Sequence, residues 1–118
     1  MNIVHSFPLL LLVSCASYPP PSDHLASAIA EARAAREIGA GNLPRAALQL
    51  KLAEEQIAQA QEMMKNGDNE RADYMTLRAY NDAELALAMA RESAIRARAE
   101  QLQASLGSSP GPQQNPPH

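Results

Sequence analysis

The sequence of 118 residues is poor in large side chains. It contains no tryptophan, its one phenylalanine is Phe7, and its valines are Val4 and Val13. Because β-branched and aromatic residues are the ones enriched in strands, this scarcity excludes a β-sheet. Apolar residues still make up 46% of the chain, and alanine, which has the highest helix propensity, is the commonest of them. The composition therefore predicts an all-helical domain with a thin core.

Cysteine and histidine are also scarce, which limits the chemistry available to the chain. Cys15 is the only cysteine, and His24 is the only histidine between residues 23 and 106. No Cys/His metal cluster and no Ser-His-Asp set can be assembled from this inventory. The adjacent Glu54 and Glu55 diverge around a helix, so they are not poised for acid–base work. We therefore expect a protein that is not an enzyme and that holds no metal ion and no cofactor.

The charged residues outline one folded domain. They all lie between residues 23 and 100, carry a net charge of -3 and form no basic stripe, which argues against a nucleic-acid partner. The uncharged flanks are a Pro-rich spacer at residues 15–22 and a Pro/Gly/Gln tail at residues 107–118. Neither flank has the apolar residues needed to offset ordering entropy, so we expect both to be disordered around a domain at residues 23–106.

Apolar residues recur at helical spacing in three segments, which predicts a three-helix antiparallel bundle. The helices are expected at about residues 23–38, 43–66 and 68–106. Gly39 and Gly67 are the expected helix stops, and Asn42 and Asp68 are the expected N-caps of the helices that follow. The apolar line of the third helix consists of Ala72, Met75, Ala79, Ala83, Ala86, Ala90, Ala94 and Ala97.

Three polar or aromatic side chains on the third helix have predicted structural roles. Asp82 lies beside the apolar line, so it is expected to cap or clamp a neighbouring helix. Tyr74 and Tyr80 are the only aromatic residues of the domain. We expect both rings to pack at the edge of the core with their hydroxyl groups in water.

The third helix is predicted to be much longer than the second. About 37 residues at 1.5 Å each give roughly 55 Å, against roughly 35 Å for the second helix. The surplus is approximately residues 92–106, and one side of it is lined by four apolar residues that we name the terminal stripe: Ile95, Ala99, Leu102 and Leu106. We predict that the terminal stripe is an interaction surface, either for a second copy in a coiled coil or for another protein. The alternative is a solvated helix end.

The start of the chain resembles a bacterial lipoprotein signal. Residues 3–13 are an apolar run that is too short for the ~20 residues of a spanning helix. The run ends in Leu12-Val13-Ser14-Cys15, and the order leucine, small or branched, small, cysteine is the lipobox of that family. The alternative is an ordinary secretory signal in which Cys15 is incidental.

The resemblance to lipoproteins implies where in the cell the protein is located. Residues 1–14 would be a signal peptide that is removed, and Cys15 would carry the lipid that attaches the protein to a membrane. Ala16 follows the cysteine, and in Gram-negative members a non-acidic residue there accompanies transfer to the outer membrane. The implied location is the inner leaflet of the outer membrane, facing the periplasm. The spacer would hold the domain roughly 20 Å from the lipid surface.

The helical domain contains several short motifs that together are distinctive. They are Pro44, Gly67-Asp68 with Ala72, and Ala79-Tyr80-Asn81-Asp82-Ala83-Glu84-Leu85-Ala86. On these motifs the chain resembles, over about residues 25–98, a family of small alanine-rich bacterial lipoproteins catalogued as a domain of unknown function. Some relatives carry a C-terminal OmpA-like domain that binds peptidoglycan.

These observations leave three hypotheses of function. The first is a membrane-anchored envelope lipoprotein that acts as a helical interaction or scaffold module and presents its third helix to an envelope protein. The second is a self-associating structural spacer of the envelope. The third is a helical module that binds a small amphiphile between its helices, in which case added lipid would raise the melting temperature.

Overall fold

The computed structural model describes residues 17–108. It contains the helices α1 (Ser22–Glu37), α2 (Pro44–Lys65) and α3 (Asn69–Gly107), with a 3-10 turn at Ala40–Asn42 between α1 and α2. No strand is present in this part of the chain. The three-helix prediction is confirmed, with every boundary within one residue. α3 is central, since it packs against α1 and α2 more extensively than those two helices pack on each other.

Two glycines end α1 and α2 as predicted. Gly39 has φ 95° and Gly67 has φ 76°, a left-handed conformation that a Cβ atom disfavours and that glycine adopts without cost. No other described residue has a positive φ. These two positions therefore fix where the chain reverses, and α1, α2 and α3 follow as an up-down-up bundle.

Of the two predicted N-caps, Asn42 is wrong, and Asp68 is right in position but makes no capping hydrogen bond. Asn42 lies in the 3-10 turn, and Leu43 occupies the N-cap position of α2 without a side-chain bond. Asp68 does occupy the N-cap position of α3, but its carboxylate accepts a hydrogen bond from Arg71 Nη1 at 2.9 Å instead of capping the helix. Pro44 begins α2 at a position where its missing N–H removes no helical bond.

Alanine makes up most of the core. Among residues 17–108, twelve of the fifteen buried apolar residues are alanine, and the three larger ones are Leu50, Ile57 and Leu87. Side chains this small let helix axes approach toward the ~8 Å limit of helix packing. The bundle is therefore held by close backbone approach with little apolar area from each residue, as the composition predicts.

The contact between α2 and α3 includes a hydrogen bond between a buried amide and a partly buried carboxylate. Gln56 is only 7% exposed, and its Nε2 donates a hydrogen bond to Asp82 Oδ2 at 2.8 Å. The Oε1 atom of Gln56 is buried without a partner among residues 17–108. Asp82 therefore clamps a neighbouring helix, as expected. Tyr80 packs against the core, but Tyr74 is 66% exposed, so the expectation for its ring is wrong.

α3 extends well beyond the helices that support it. Its last buried residue is Ala90, and residues 94–108 are all exposed. Ala94 and Ala97, which the sequence places on the apolar line, are exposed because α1 has ended at Glu37 and α2 begins only at Pro44. The free part of α3 spans about four turns, roughly 20 Å, and coincides with the projection expected at residues 92–106.

Candidate interaction site

The terminal stripe lies on the free part of α3 and is open to solvent. Ile95 is 69% exposed, Leu102 is 59% exposed and Leu106 is 77% exposed. Ala99 is exposed between them. The spacings of four, three and four residues place all four side chains on one side of the helix.

A groove at the base of the projection joins the terminal stripe to α1. It measures about 480 Å³ and lies in the angle between the end of α1 and the side of α3. Ile38, the C-cap residue of α1, is 42% exposed and forms one wall. The sequence places Ile38 on the apolar face of the first helix, but spacing alone does not show that it meets α3 here. The lining residues are Ile38, Arg91, Ala94, Ile95, Arg98, Ala99 and Leu102.

The charged side chains that line this groove are all positive. Arg91 and Arg98 line it, and no acidic residue does. Neither arginine forms an ion pair with another residue of the described range 17–108. The nearby Glu92 is already paired with Arg96, whose Nη2 lies 2.6 Å from Glu92 Oε1. The groove therefore combines an apolar floor with two cationic groups that lack a counter-ion.

At the opposite end of α3, the N-terminal segment is attached to the bundle. The Tyr18 hydroxyl donates to Asp73 Oδ2 at 2.5 Å, and His24 Nδ1 lies 2.6 Å from Asp73 Oδ1. Asn69 Nδ2 donates to the Tyr18 carbonyl at 2.9 Å, and Pro21 is buried. Residues 18–21 belong to the predicted spacer, so this part of the spacer follows the surface of the domain and is not the disordered segment that the sequence predicted.

The charges of this cluster favour an ion pair. The hydrogen bond to Asp73 and the charge of its carboxylate raise the pKa of His24 above 6.5. The hydrogen bonds from His24 and Tyr18 hold the pKa of Asp73 below its ordinary value of 3.8. The same carboxylate raises the pKa of Tyr18. All three groups are near the surface, so the pair is accessible to solvent and to added salt.

The described residues contain neither a candidate metal site nor a candidate membrane span. No group of three or more His, Cys, Asp or Glu side chains in residues 17–108 could hold a metal ion. None of the three helices is apolar enough over a sufficient length to cross a bilayer. Two predictions fall outside the described residues: the lipobox predicted at Leu12, Val13, Ser14 and Cys15, and the tail from residue 109.

Comparison with known proteins identifies one family. The model of a family described as a domain of unknown function, DUF4398, matches residues 23–102. The match begins in the first turn of α1 and ends at Leu102 in the terminal stripe, so it includes the whole bundle and most of the projection. No curated protein and no solved structure matches the chain.

Proposed function

The chain belongs to the DUF4398 family, and we propose that this member is a lipid-anchored helical interaction module of the bacterial cell envelope. Lipid on Cys15 holds the protein at the periplasmic face of the outer membrane. The helical domain acts by contact and not by catalysis. Its projecting helix, α3, binds a partner protein of the envelope through the terminal stripe.

The exposed terminal stripe is the observation that carries this proposal. Ile95, Leu102 and Leu106 are large apolar side chains more than half exposed, at the end of a helix that nothing else in residues 17–108 supports. An unsupported helix of this length is marginal in water. Burying each such side chain contributes about 1.5–3 kcal/mol. A partner that covers the stripe would therefore gain this free energy and order the end of α3.

The anchoring half of the proposal is supported by the sequence before Tyr18. Leu12-Val13-Ser14-Cys15 matches the lipobox, and two or more acyl chains suffice for stable attachment where one is marginal. The contacts of Tyr18 with Asp73 and Asn69 place the exit of the N-terminal segment at the start of α3. The anchor and the terminal stripe would then lie at opposite ends of the bundle.

Photocrosslinking in cells tests the interaction. A photoreactive amino acid at Arg98 or Gln101, beside the terminal stripe, should give a discrete adduct with another envelope protein. Leu102→Glu should abolish this adduct. The matched control is Leu48→Glu, because Leu48 is an exposed leucine of α2 at 56% exposure and should leave the adduct unchanged. Absence of any adduct from either position would contradict the proposal.

Fractionation tests the anchor. Cells grown with radioactive palmitate should label the wild-type protein and a Ser14→Ala variant, and both should sediment with membranes. Cys15→Ser should lose the label and leave the membrane fraction. If Cys15→Ser stays unlabelled but still sediments with membranes, the lipid is not what holds the protein there.

A self-associating spacer is the second candidate, and the spacing of the stripe favours it. Intervals of four, three and four residues from Ile95 to Leu106 are typical of a coiled-coil seam. Sedimentation equilibrium of the full chain separates the two functions. A mass that rises with concentration, and that Leu102→Glu returns to that of a monomer, supports the spacer. A concentration-independent monomer excludes it.

A further inference from the structure

We propose that the groove between the end of α1 and the free part of α3 binds an amphipathic helix whose apolar face is flanked by acidic side chains. This inference rests on the proposed function and specifies the chemistry of the partner. It is carried by the shape of the groove and by the charges that line it.

The shape of the groove suits a helix. The core contacts of α1 continue as far as Ala35. α1 ends at Glu37, whereas α3 continues to Gly107. Ile38, Ile95 and Leu102 line one groove, so the open surface continues the face of α3 on which a helix already packs. The free surface is about four turns long, the length over which an amphipathic helix places its i, i+3, i+4 and i+7 anchors.

The positive charges of the groove favour a bound helix that carries acidic residues beside its apolar face. Arg91 and Arg98 are seven residues apart, two turns along the same side of α3, and both line the groove. They form no ion pair among residues 17–108. A helix with carboxylates beside its apolar face would give both arginines a counter-ion, whereas a helix with lysines there would place like charges together.

The same arginines argue against a second copy as the occupant. Each copy would contribute Arg91 and Arg98 beside its terminal stripe. Glu92 would supply no free carboxylate, because it is paired with Arg96 within its own helix. A second copy could therefore cover the apolar floor, but the arginines beside its own stripe would add positive charge to the groove. Its other exposed acids near this end, Glu37 and Glu100, are not among the residues that line the groove.

Two designed peptides test the charge preference on the purified full chain. Both are helical peptides with the same leucine pattern, one with Glu and the other with Lys at the flanking positions, and binding is measured by fluorescence anisotropy. The Glu peptide should bind roughly tenfold more tightly at low salt, because two exposed ion pairs replace two like-charge contacts. The difference should shrink as salt is added.

Matched variants locate the site. The double variant Arg91→Glu/Arg98→Glu should reverse the preference toward the Lys peptide. Leu102→Glu should weaken both peptides. Arg33→Glu is the control, since Arg33 is an exposed arginine of α1 that does not line the groove, and it should leave the ratio of affinities unchanged. Circular dichroism should show the same helicity in all variants.

Several outcomes would overturn the inference. The inference is wrong if the protein binds the two peptides with equal affinity, if it prefers the Lys peptide, or if it binds neither. A stable dimer that binds no peptide would assign the groove to a second copy. Binding to phosphatidylglycerol vesicles that depends on Arg91 and Arg98, with no peptide binding, would assign it to a membrane. The two proposals can also fail separately. If Arg98 gives a photoadduct with another protein but the Glu and Lys peptides bind equally well, the proposed function stands and only the inference of an acidic partner is refuted.

Discussion

The Gln56–Asp82 pair offers a quantitative test of how α2 and α3 are held together. Gln56 is 7% exposed in a core made mainly of alanine, and its Nε2 donates to Asp82 Oδ2 at 2.8 Å. The Oε1 atom of the same amide has no partner among the described residues. Asp82→Ala removes the acceptor that this amide has among residues 17–108 and leaves its donor group buried and unpaired.

The structure predicts an order of effects. A hydrogen bond to a charged group contributes about 1.5–3 kcal/mol, and an orphaned buried donor costs the full desolvation of that group, so Asp82→Ala should lower the free energy of unfolding by about 2–3 kcal/mol. Gln56→Leu should cost less, because Asp82 is only partly buried and its carboxylate can bind water. The double variant Gln56→Leu/Asp82→Leu should lie within about 1 kcal/mol of the wild type.

Urea denaturation followed by circular dichroism at 222 nm measures these free energies, with equal m-values as the condition for comparing them. Glu84→Ala is the matched control, because Glu84 is an exposed acid two residues from Asp82 and should change stability by no more than about 0.5 kcal/mol. A cost below about 0.5 kcal/mol for Asp82→Ala would refute the reasoning. So would a double variant as unstable as Asp82→Ala alone.

Three further predictions concern the core, the N-terminal cluster and the projection. Ala83→Leu should lower the free energy of unfolding by about 1–3 kcal/mol in the same urea assay, because Ala83 is 0% exposed between closely packed helices. An unchanged urea concentration at the midpoint of unfolding would show that the helices are not in close contact. The contribution of the His24–Asp73 pair to the melting temperature should be complete between the ordinary pKa values of 3.8 for Asp73 and 6.5 for His24, and it should be lost as the pH rises through the raised pKa of His24. It should also be lost as the pH falls through the lowered pKa of Asp73. A scan of His24→Gln across pH should lack the change at high pH and keep a smaller change at low pH, because Tyr18 still donates to the Asp73 carboxylate. Leu102→Glu should leave the thermal melting temperature unchanged, since Leu102 lies beyond the bundle; a clear loss would mean that the projection contributes to the fold.

The bundle could be predicted from sequence because its determinants are local. Gly39 and Gly67 interrupt the apolar periodicity, and each adopts the positive φ that ends a helix. The projection of α3 followed from the length of an uninterrupted helical pattern. The caps at Asn42 and Asp68 were not predictable in the same way, because the Asp68 carboxylate has an alternative partner in Arg71, and a pattern of residue types cannot decide between them.

The candidate site was predicted only in part because its remaining contacts join distant parts of the chain. Ile95, Ala99, Leu102 and Leu106 could be placed on one side of a helix by spacing, but Ile38 joins them only through the packing of α1 on α3. The Tyr18–Asp73 hydrogen bond spans 55 residues, and no periodicity encodes it. Gln56 did leave a signal, since it lies three residues after Ala53 and four before Ala60, a polar residue on an otherwise apolar face.

The attachment of Tyr18 to the start of α3 limits how far the terminal stripe can lie from a membrane that holds Cys15. Asp73 and Leu106 lie 33 residues apart on one continuous helix, a separation of roughly 50 Å. With lipid on Cys15, only about three residues, roughly 10 Å of extended chain, would remain between the membrane and the bundle. The length of α3 and the short tether would together set the greatest distance from the membrane that the terminal stripe can reach, roughly 60 Å. A partner held within that distance would meet the stripe at a high effective concentration, whereas a partner held farther away would not meet it at all.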